Sequence, residues 1–354
     1  MPVIRVLLAD DSLLIRTVLS DLLAADPGID IVGEAGDGRA AVEMTARLKP
    51  DLVIMDVMMP GMDGIEAVTE IMASTPVPIL MLSANTDPAD SRSAFAAIRL
   101  GALDVMAKPA GATTAAFAEL SGQLIAKVRS LSRIRVMHHF RPKRGAAAPT
   151  PPAAAPLPAG KRRILAIGAS TGGPKAVLQL LKELPMDLAV SGLIVQHIAD
   201  GFAAGFAGWL DREVPLKVEL AREGDQLLSG RLLVAPNGSH LTVTGTGRVA
   251  LRASAPLHNC RPAADALFQS LAEAGLGGET VGVIMTGMGN DGAAGMRAMH
   301  AQGAYTLAQD EASCAVFGMP KAAIDAGGVD RVLPLNALAG AIRPLFGEQA
   351  KGAG

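Results

Sequence analysis

Between Arg141 and Gly160 the chain has six prolines, seven alanines and no acidic side chain. Proline removes backbone donors and fixes φ, so this stretch reads as a semi-extended linker and not as part of a core. It divides the 354 residues into two folding problems, each needing its own core. Charge divides at the same place. Residues 1–125 carry 8 Lys/Arg and 17 Asp/Glu, residues 126–163 carry 10 and none, and residues 164–354 carry 14 and 17. An acidic domain (1–125), a basic connector (126–163) and a near-neutral domain (164–354) are therefore expected. A helical stretch running to about His138 would extend the last helix of the first domain into the connector. From Arg141 to Arg163 there is no aromatic residue to stack a base, so the basic clusters read as solvated linker ends and no nucleic-acid partner is expected.

Aromatics make up only 3% of the chain, against 50% hydrophobic residues, so the cores must be aliphatic. Two cysteines, Cys260 and Cys314, are too few for a disulfide framework or a cysteine metal site. The N-terminus places Arg5, Asp10 and Asp11 where a signal peptide needs an apolar core. No apolar run is long enough to span a bilayer. A cytoplasmic protein without membrane insertion is the expectation.

In the first domain, short apolar runs at Arg5–Ala9, Ile29–Glu34, Leu52–Met55, Pro78–Leu82 and Val105–Ala107 alternate with helical patterns. Five such units predict a doubly wound parallel sheet. Ligands bind beyond the carboxyl ends of such strands. The residues there are Asp10, Asp11, Asp56, Ser83 and Lys108. Converging carboxylates raise one another's pKa unless a cation joins them, and Mg²⁺ takes carboxylates, water and phosphate oxygens. A carboxylate also serves as a nucleophile that forms an aspartyl-phosphate. Ser83 and Lys108 suit a phosphoryl group as hydrogen-bond donor and counter-charge.

In the second domain, Ile164–Ile167 has strand character and ends in Gly168-Ala169-Ser170-Thr171-Gly172-Gly173-Pro174, after which a helix begins. Ser170 thus sits on a strand-to-helix turn of the Gly-x-Ser-x-Gly type. A serine there also serves as an ordinary cap or turn residue. Leu193–Gln196 reads as a strand with His197 just beyond it, and Val281–Met285 as another, followed by Thr286-Gly-Met-Gly-Asn-Asp291-Gly292. Ser170, His197 and Asp291 would each lie at a strand's carboxyl end, giving a hydroxyl, a base and an orienting carboxylate. Their chain order differs from that of α/β-hydrolases. Lys217–Leu251 reads as an antiparallel excursion, with His240 a weaker candidate base. Gly287-x-Gly289-x-x-Gly292 with Asp310 also fits a dinucleotide fingerprint. Against it, Asp291 would face the pyrophosphate, and the unit starts near the end of the chain.

The first domain resembles the response-regulator receiver family through L-L-A-D-D-S, I-M-D-V-M-M-P-G-M-D-G, M-L-S-A and A-K-P. The resemblance implies that Asp56 accepts a phosphoryl group from a CheA-type histidine kinase. It further implies that Asp11, Asp56 and the Met58 carbonyl ligate Mg²⁺, with Asp10 assisting. The usual aromatic switch position holds Val105 instead. With G-A-S-T-G-G-P, V-Q-H, V-A-P, R-P-A-A-D-A-L-F, T-G-M-G-N-D-G and S-C-A-V-F-G-M-P, residues 161–345 resemble the catalytic domain of CheB, the chemotaxis protein-glutamate methylesterase family. That resemblance implies Ser170 as nucleophile, His197 as general base and Asp291 as its orienter. It implies Met288 and Thr171 amides at an oxyanion hole, Arg261 at the substrate, and no cofactor in this domain. The implied activity is demethylation and deamidation of chemoreceptor helices, with the protein associated with receptor arrays. The order of the domains suggests that the unphosphorylated receiver packs over the Ser170 edge.

Overall fold

The computed structural model describes residues 3–84, 88–109, 114–134 and 162–346. Most of the connector therefore lies outside the described residues.

The first domain runs β1 (Ile4–Ala9), α1 (Leu13–Leu23), β2 (Ile29–Ala35), α2 (Gly38–Leu48), β3 (Leu52–Asp56), α3 (Gly64–Ser74), β4 (Ile79–Ser83), α4 (Pro88–Leu100), β5 (Asp104–Ala107) and α5 (Thr114–Leu131). Its five strands are parallel, in the order β2-β1-β3-β4-β5. Every residue of β3 and β4 is buried, as expected for strands covered by helices on both faces. Side-chain caps start the helices: Ser12 for α1, Asp37 for α2, and Asp63 with Glu66 as a capping box for α3. Gly64 is required where α3 meets β3, because a Cβ there would collide with the Asp56 carbonyl. Helix α5 runs past residue 125 to Leu131; His138, to which the sequence reading carried the helix, lies outside the described residues.

The second domain comprises β6 (Ile164–Ala169), α6 (Gly173–Lys182), β7 (Ser191–Gln196), α7 (Ala203–Glu213), β8 (Lys217–Leu220), β9 (Arg231–Val234), β10 (His240–Val243), β11 (Val249–Arg252), α8 (Ala264–Glu273), β12 (Thr280–Ile284), α9 (Ala293–Ala301), β13 (Tyr305–Gln309), α10 (Met319–Asp325), β14 (Arg331–Leu333) and α11 (Leu335–Ile342). Its main sheet has seven parallel strands in the order β14-β13-β12-β6-β7-β9-β8. Among the named strands, antiparallel pairing is found in the β10–β11 hairpin, which an isolated Gln226–Arg248 bridge adjoins. Lys217–Leu220 and Arg231–Val234, read from sequence as part of an antiparallel excursion, instead join the main sheet as parallel strands. The alternation in Lys217-Val218-Glu219-Leu220 reflects an edge strand with one half-exposed face, a pattern parallel edges share with antiparallel ladders.

Helix α4 of the first domain packs on α7 of the second. Phe95 is fully buried, with its ring centroid 5.3 Å from that of Trp209, 5.6 Å from Phe206 and 6.4 Å from Phe202. Arg99 and Glu213 pair at 3.8 Å beside this cluster. Further along, Ser130 Oγ of α5 lies 3.0 Å from the Met288 sulfur, so the receiver-like domain reaches the loop after β12.

Candidate active site

At the carboxyl edge of the first sheet, β1, β3, β4 and β5 deliver Asp10 and Asp11, Asp56, Ser83 and Lys108 to one place. The Lys108 ammonium lies 2.8 Å from a carboxylate oxygen of both Asp10 and Asp56. Carboxylate oxygens of Asp10, Asp11 and Asp56 lie within 4.8 Å of one another. Burial pushes Asp56 up to about 6, and the Asp10 charge adds to this; Lys108 and the Met58 amide act against it. The Ser83 hydroxyl is buried without a hydrogen-bond partner among the described residues. An all-oxygen donor set of three converging carboxylates fits a hard divalent cation. Val105 is buried within β5, where no large side chain is available to swing.

The second site forms where β6, β7 and β12 end. β6 lies between the other two. Ala169 is in register with Gln196, so Ser170 and His197 leave neighbouring strands one residue later. The His197 amide donates to the Ala169 carbonyl at 2.9 Å, and the Ser170 amide to the Thr286 carbonyl at 3.0 Å. His197 Nε2 lies 2.7 Å from Asp291 Oδ2. Asp291 is buried and accepts from the amides of Ala264 (2.6 Å) and Asp265 (2.9 Å). These amides open α8, so the carboxylate caps a helix remote in sequence and meets its positive end.

Burial works to raise the Asp291 pKa, but His197 and the two amides hold it below the usual carboxylate range. For His197, burial works toward the neutral ring. Asp291 and Cys260 outweigh it and push the imidazole up to about 9. With Nε2 committed to Asp291, Nδ1 is the nitrogen available to exchange a proton; it lies 3.7 Å from the Cys260 sulfur. Ser170 is half-buried, and its hydroxyl makes no hydrogen bond to any described residue.

Thr171 is buried, and its carbonyl accepts from the Thr286 hydroxyl at 2.9 Å. Met288 is 41% exposed on the loop after β12. Arg261 is exposed and donates to the Ser254 carbonyl at 3.0 Å. His240 is not a base. It is buried, its Nδ1 accepts from the Ala263 amide at 3.1 Å, and its Nε2 therefore donates to the Ala255 carbonyl at 3.0 Å. Both ring nitrogens are spent on holding the turn before α8. Asp310, the acidic residue of the dinucleotide pattern, is likewise committed, to the Ser313 amide and hydroxyl.

Three residues near Ser170 escaped the sequence reading. Cys260 faces His197 across 63 positions, a distance no local motif signals. Thr286 and Gln309 form a buried brace: the Thr286 amide donates to Gln309 Oε1 at 2.9 Å, and Val316 donates to the Thr286 hydroxyl at 3.0 Å. Gln309, like Gln196, is an amide closing an apolar strand. That is the signal that was available.

Fold and site together define a class: a receiver-type α/β module with a carboxylate pocket, joined to a parallel α/β enzyme domain that carries a Ser at one strand end beside a contacting His–Asp pair. Residues 165–342 match the CheB methylesterase family and residues 6–116 the response regulator receiver domain. The chain belongs to the CheB methylesterase family. It is 45% identical, over 97% of both chains, to protein-glutamate methylesterase/protein-glutamine glutaminase 2 of Anaeromyxobacter dehalogenans (strain 2CP-C). Identity is 40%, again over 97% of both chains, to protein-glutamate methylesterase/protein-glutamine glutaminase 4 of Myxococcus xanthus (strain DK1622). Among solved structures, the Thermotoga maritima CheB methylesterase catalytic domain is similar, with 35% identity and a TM-score of 0.50. That match covers 52% of this chain and 98% of the other.

Proposed function

We propose that this protein is a phosphorylation-activated serine hydrolase that removes methyl groups from glutamate γ-methyl esters on chemoreceptor helices and deamidates selected glutamines there. The observation that carries the reading is the 2.7 Å His197–Asp291 contact at the strand end adjoining Ser170. Ser170 Oγ attacks the γ-carbonyl, and its proton passes to His197 Nδ1. The Met288 and Thr171 amides hold the oxyanion. Methanol, or ammonia from glutamine, leaves with that proton. Water, deprotonated by His197, then releases glutamate and restores Ser170.

In the receiver, Asp56 accepts the phosphoryl group from a CheA-type kinase. Asp10, Asp11, Asp56 and the Met58 carbonyl would hold Mg²⁺, which offsets phosphate charge when bound. Ser83 and Lys108 bind the phosphoryl oxygens. Among the described residues no helix is long and apolar enough to cross a membrane. Work in the cytoplasm at receptor arrays fits this role.

The test is methanol release from methyl-esterified receptor fragments, with Mg²⁺ and with or without a small phosphodonor. Release that rises with the phosphodonor is expected. Asp56→Asn should keep the basal rate and lose the response; a variant that still responds would remove Asp56 from the switch.

A pH dependence follows from His197. The imidazole must be neutral at Nδ1 to take the serine proton, so kcat/KM should rise with pH with a midpoint near 9. Stability runs the other way. A histidine pKa raised on folding stabilises the fold fully below the unfolded value, and that contribution is lost as pH rises through about 9. A rate profile already flat at pH 7 would show that the imidazolium is not held in this way.

A further inference from the structure

Gln196 closes β7 and is 2% exposed. A buried amide in an apolar strand is costly unless its hydrogen bonds are made. Its Nε2 makes two. It donates to the Ser170 carbonyl at 2.8 Å and to the His197 carbonyl at 2.9 Å. Both acceptors are carbonyls, so only the NH₂ end can face them, and the orientation of the amide is fixed. One nitrogen thus bridges the turn that presents the nucleophile and the turn that presents the base.

The rest of the amide has been given room. Gln196 Oε1 is buried without a hydrogen-bond partner among the described residues and lies against Gly173, the first residue of α6. A Cβ at Gly173 would collide with that oxygen. The oxygen faces the positive end of α6, which favours the orientation that turns NH₂ toward the two carbonyls. The ladder between β6 and β7 ends at Ala169 and Gln196. Beyond it, the His197 amide on the Ala169 carbonyl and the Gln196 side chain tie the two turns to each other.

We propose that Gln196 is a positioning residue for catalysis: it clips the Ser170 turn to the His197 turn and sets the separation of nucleophile and base. This rests on the Ser170–His197–Asp291 reading above. Gln196 need not touch substrate. Its loss would let the turns part by a fraction of an ångström, enough to misalign proton transfer.

The test uses the full-length protein with Mg²⁺ and phosphodonor. Gln196→Met keeps the length and removes both donors. Its kcat for methanol release should fall roughly 10- to 100-fold with KM little changed. Labelling of Ser170 by a serine-reactive phosphonate should slow by a similar factor. Rates are taken per labelled Ser170, and far-UV circular dichroism gives the folded fraction. Gln196→Glu supplies a readout that a purely structural role would not move. Its carboxyl, facing two carbonyls, donates one hydrogen only when protonated, so its activity per titrated site, taken relative to wild type at the same pH, should fall as pH rises. Ser170→Ala is the control for the underlying reading. If Ser170→Ala is inactive while Gln196→Met keeps wild-type kcat and labelling, the clip is wrong and the triad stands. If Gln196→Met loses rate only in proportion to its unfolded fraction, the residue is structural and the proposal is overturned. If Ser170→Ala releases methanol like wild type, both readings fall together.

Discussion

Ser170→Ala is expected to cut methanol release roughly 10⁴- to 10⁶-fold while leaving the fold intact. The rate loss follows from removing the hydroxyl that, in the proposed mechanism, bonds to the acyl carbon and hands its proton to His197. The intact fold follows from what Ser170 contributes structurally. Its amide bonds to Thr286 and its carbonyl accepts from Gly173 and Gln196. These are backbone groups, and alanine keeps all of them. The hydroxyl makes no hydrogen bond to any described residue, so its deletion strands no buried partner. A thermal midpoint within the range of ordinary surface substitutions should accompany the lost activity. Equal methanol release by Ser170→Ala and wild type, measured per folded protein, would place the chemistry elsewhere.

Asp291→Asn should lower turnover by up to about 10⁴-fold and, unlike Ser170→Ala, should also destabilise the protein. The carboxylate accepts three bonds: Oδ2 from His197 and the Ala264 amide, Oδ1 from the Asp265 amide. Asparagine has one oxygen. With its NH₂ at the Oδ1 position, a donor faces the Asp265 amide. With the NH₂ at the Oδ2 position, a donor faces the Ala264 amide, and His197 Nε2 must become an acceptor. The imidazole proton then moves to Nδ1, the nitrogen that has to accept from Ser170. Either arrangement leaves a buried donor unmet, at about 1–3 kcal/mol. Loss of the negative charge also removes the chief support for the imidazolium, so the acid limb of the residual activity should shift to lower pH. An asparagine variant with wild-type turnover and an unmoved limb would show that Asp291 serves only as the cap of α8.

The two effects separate chemistry from architecture because the two side chains are embedded differently. Ser170 is held by its backbone and presents a side chain that nothing else needs. Asp291 is held by its side chain, and that side chain also terminates a helix. The proposed phosphorylation at Asp56 would act on a third kind of group, a carboxylate pushed up to about 6 mainly by burial, where a bound cation would remove a penalty already built into the fold.

Much of this was legible in the chain. Apolar runs bounded by glycine and proline located most strands to within a residue or two, since parallel strands buried on both faces require uninterrupted apolar sequence. The same runs placed Asp56, Lys108, Ser170, His197 and Asp291 at strand ends, because the residue after a buried strand is where polar chemistry first becomes possible. What local pattern does not encode is pairing. That β6 lies between β7 and β12, bringing His197 onto Asp291 across 94 positions, is set by how the crossover helices pack the sheet. The same limit explains the misread segments. β8 alternates like an antiparallel strand because it is an edge strand with one wet face, whichever way its neighbour runs, whereas β9 is an apolar strand inside the sheet between β7 and β8. His240 reads as a free histidine until α8 and its preceding turn arrive to occupy both nitrogens. Cys260 has no signature at all, and Gln196 shows only a polar amide closing an apolar strand, since its role depends on the Ser170 carbonyl delivered by the neighbouring strand. The sequence by itself determined the elements, their buried faces and the identity of the groups at their ends. The tertiary structure decided which of those groups meet, because a hydrogen bond between remote strand ends depends on the packing of the whole sheet and not on any residue's neighbours in the chain.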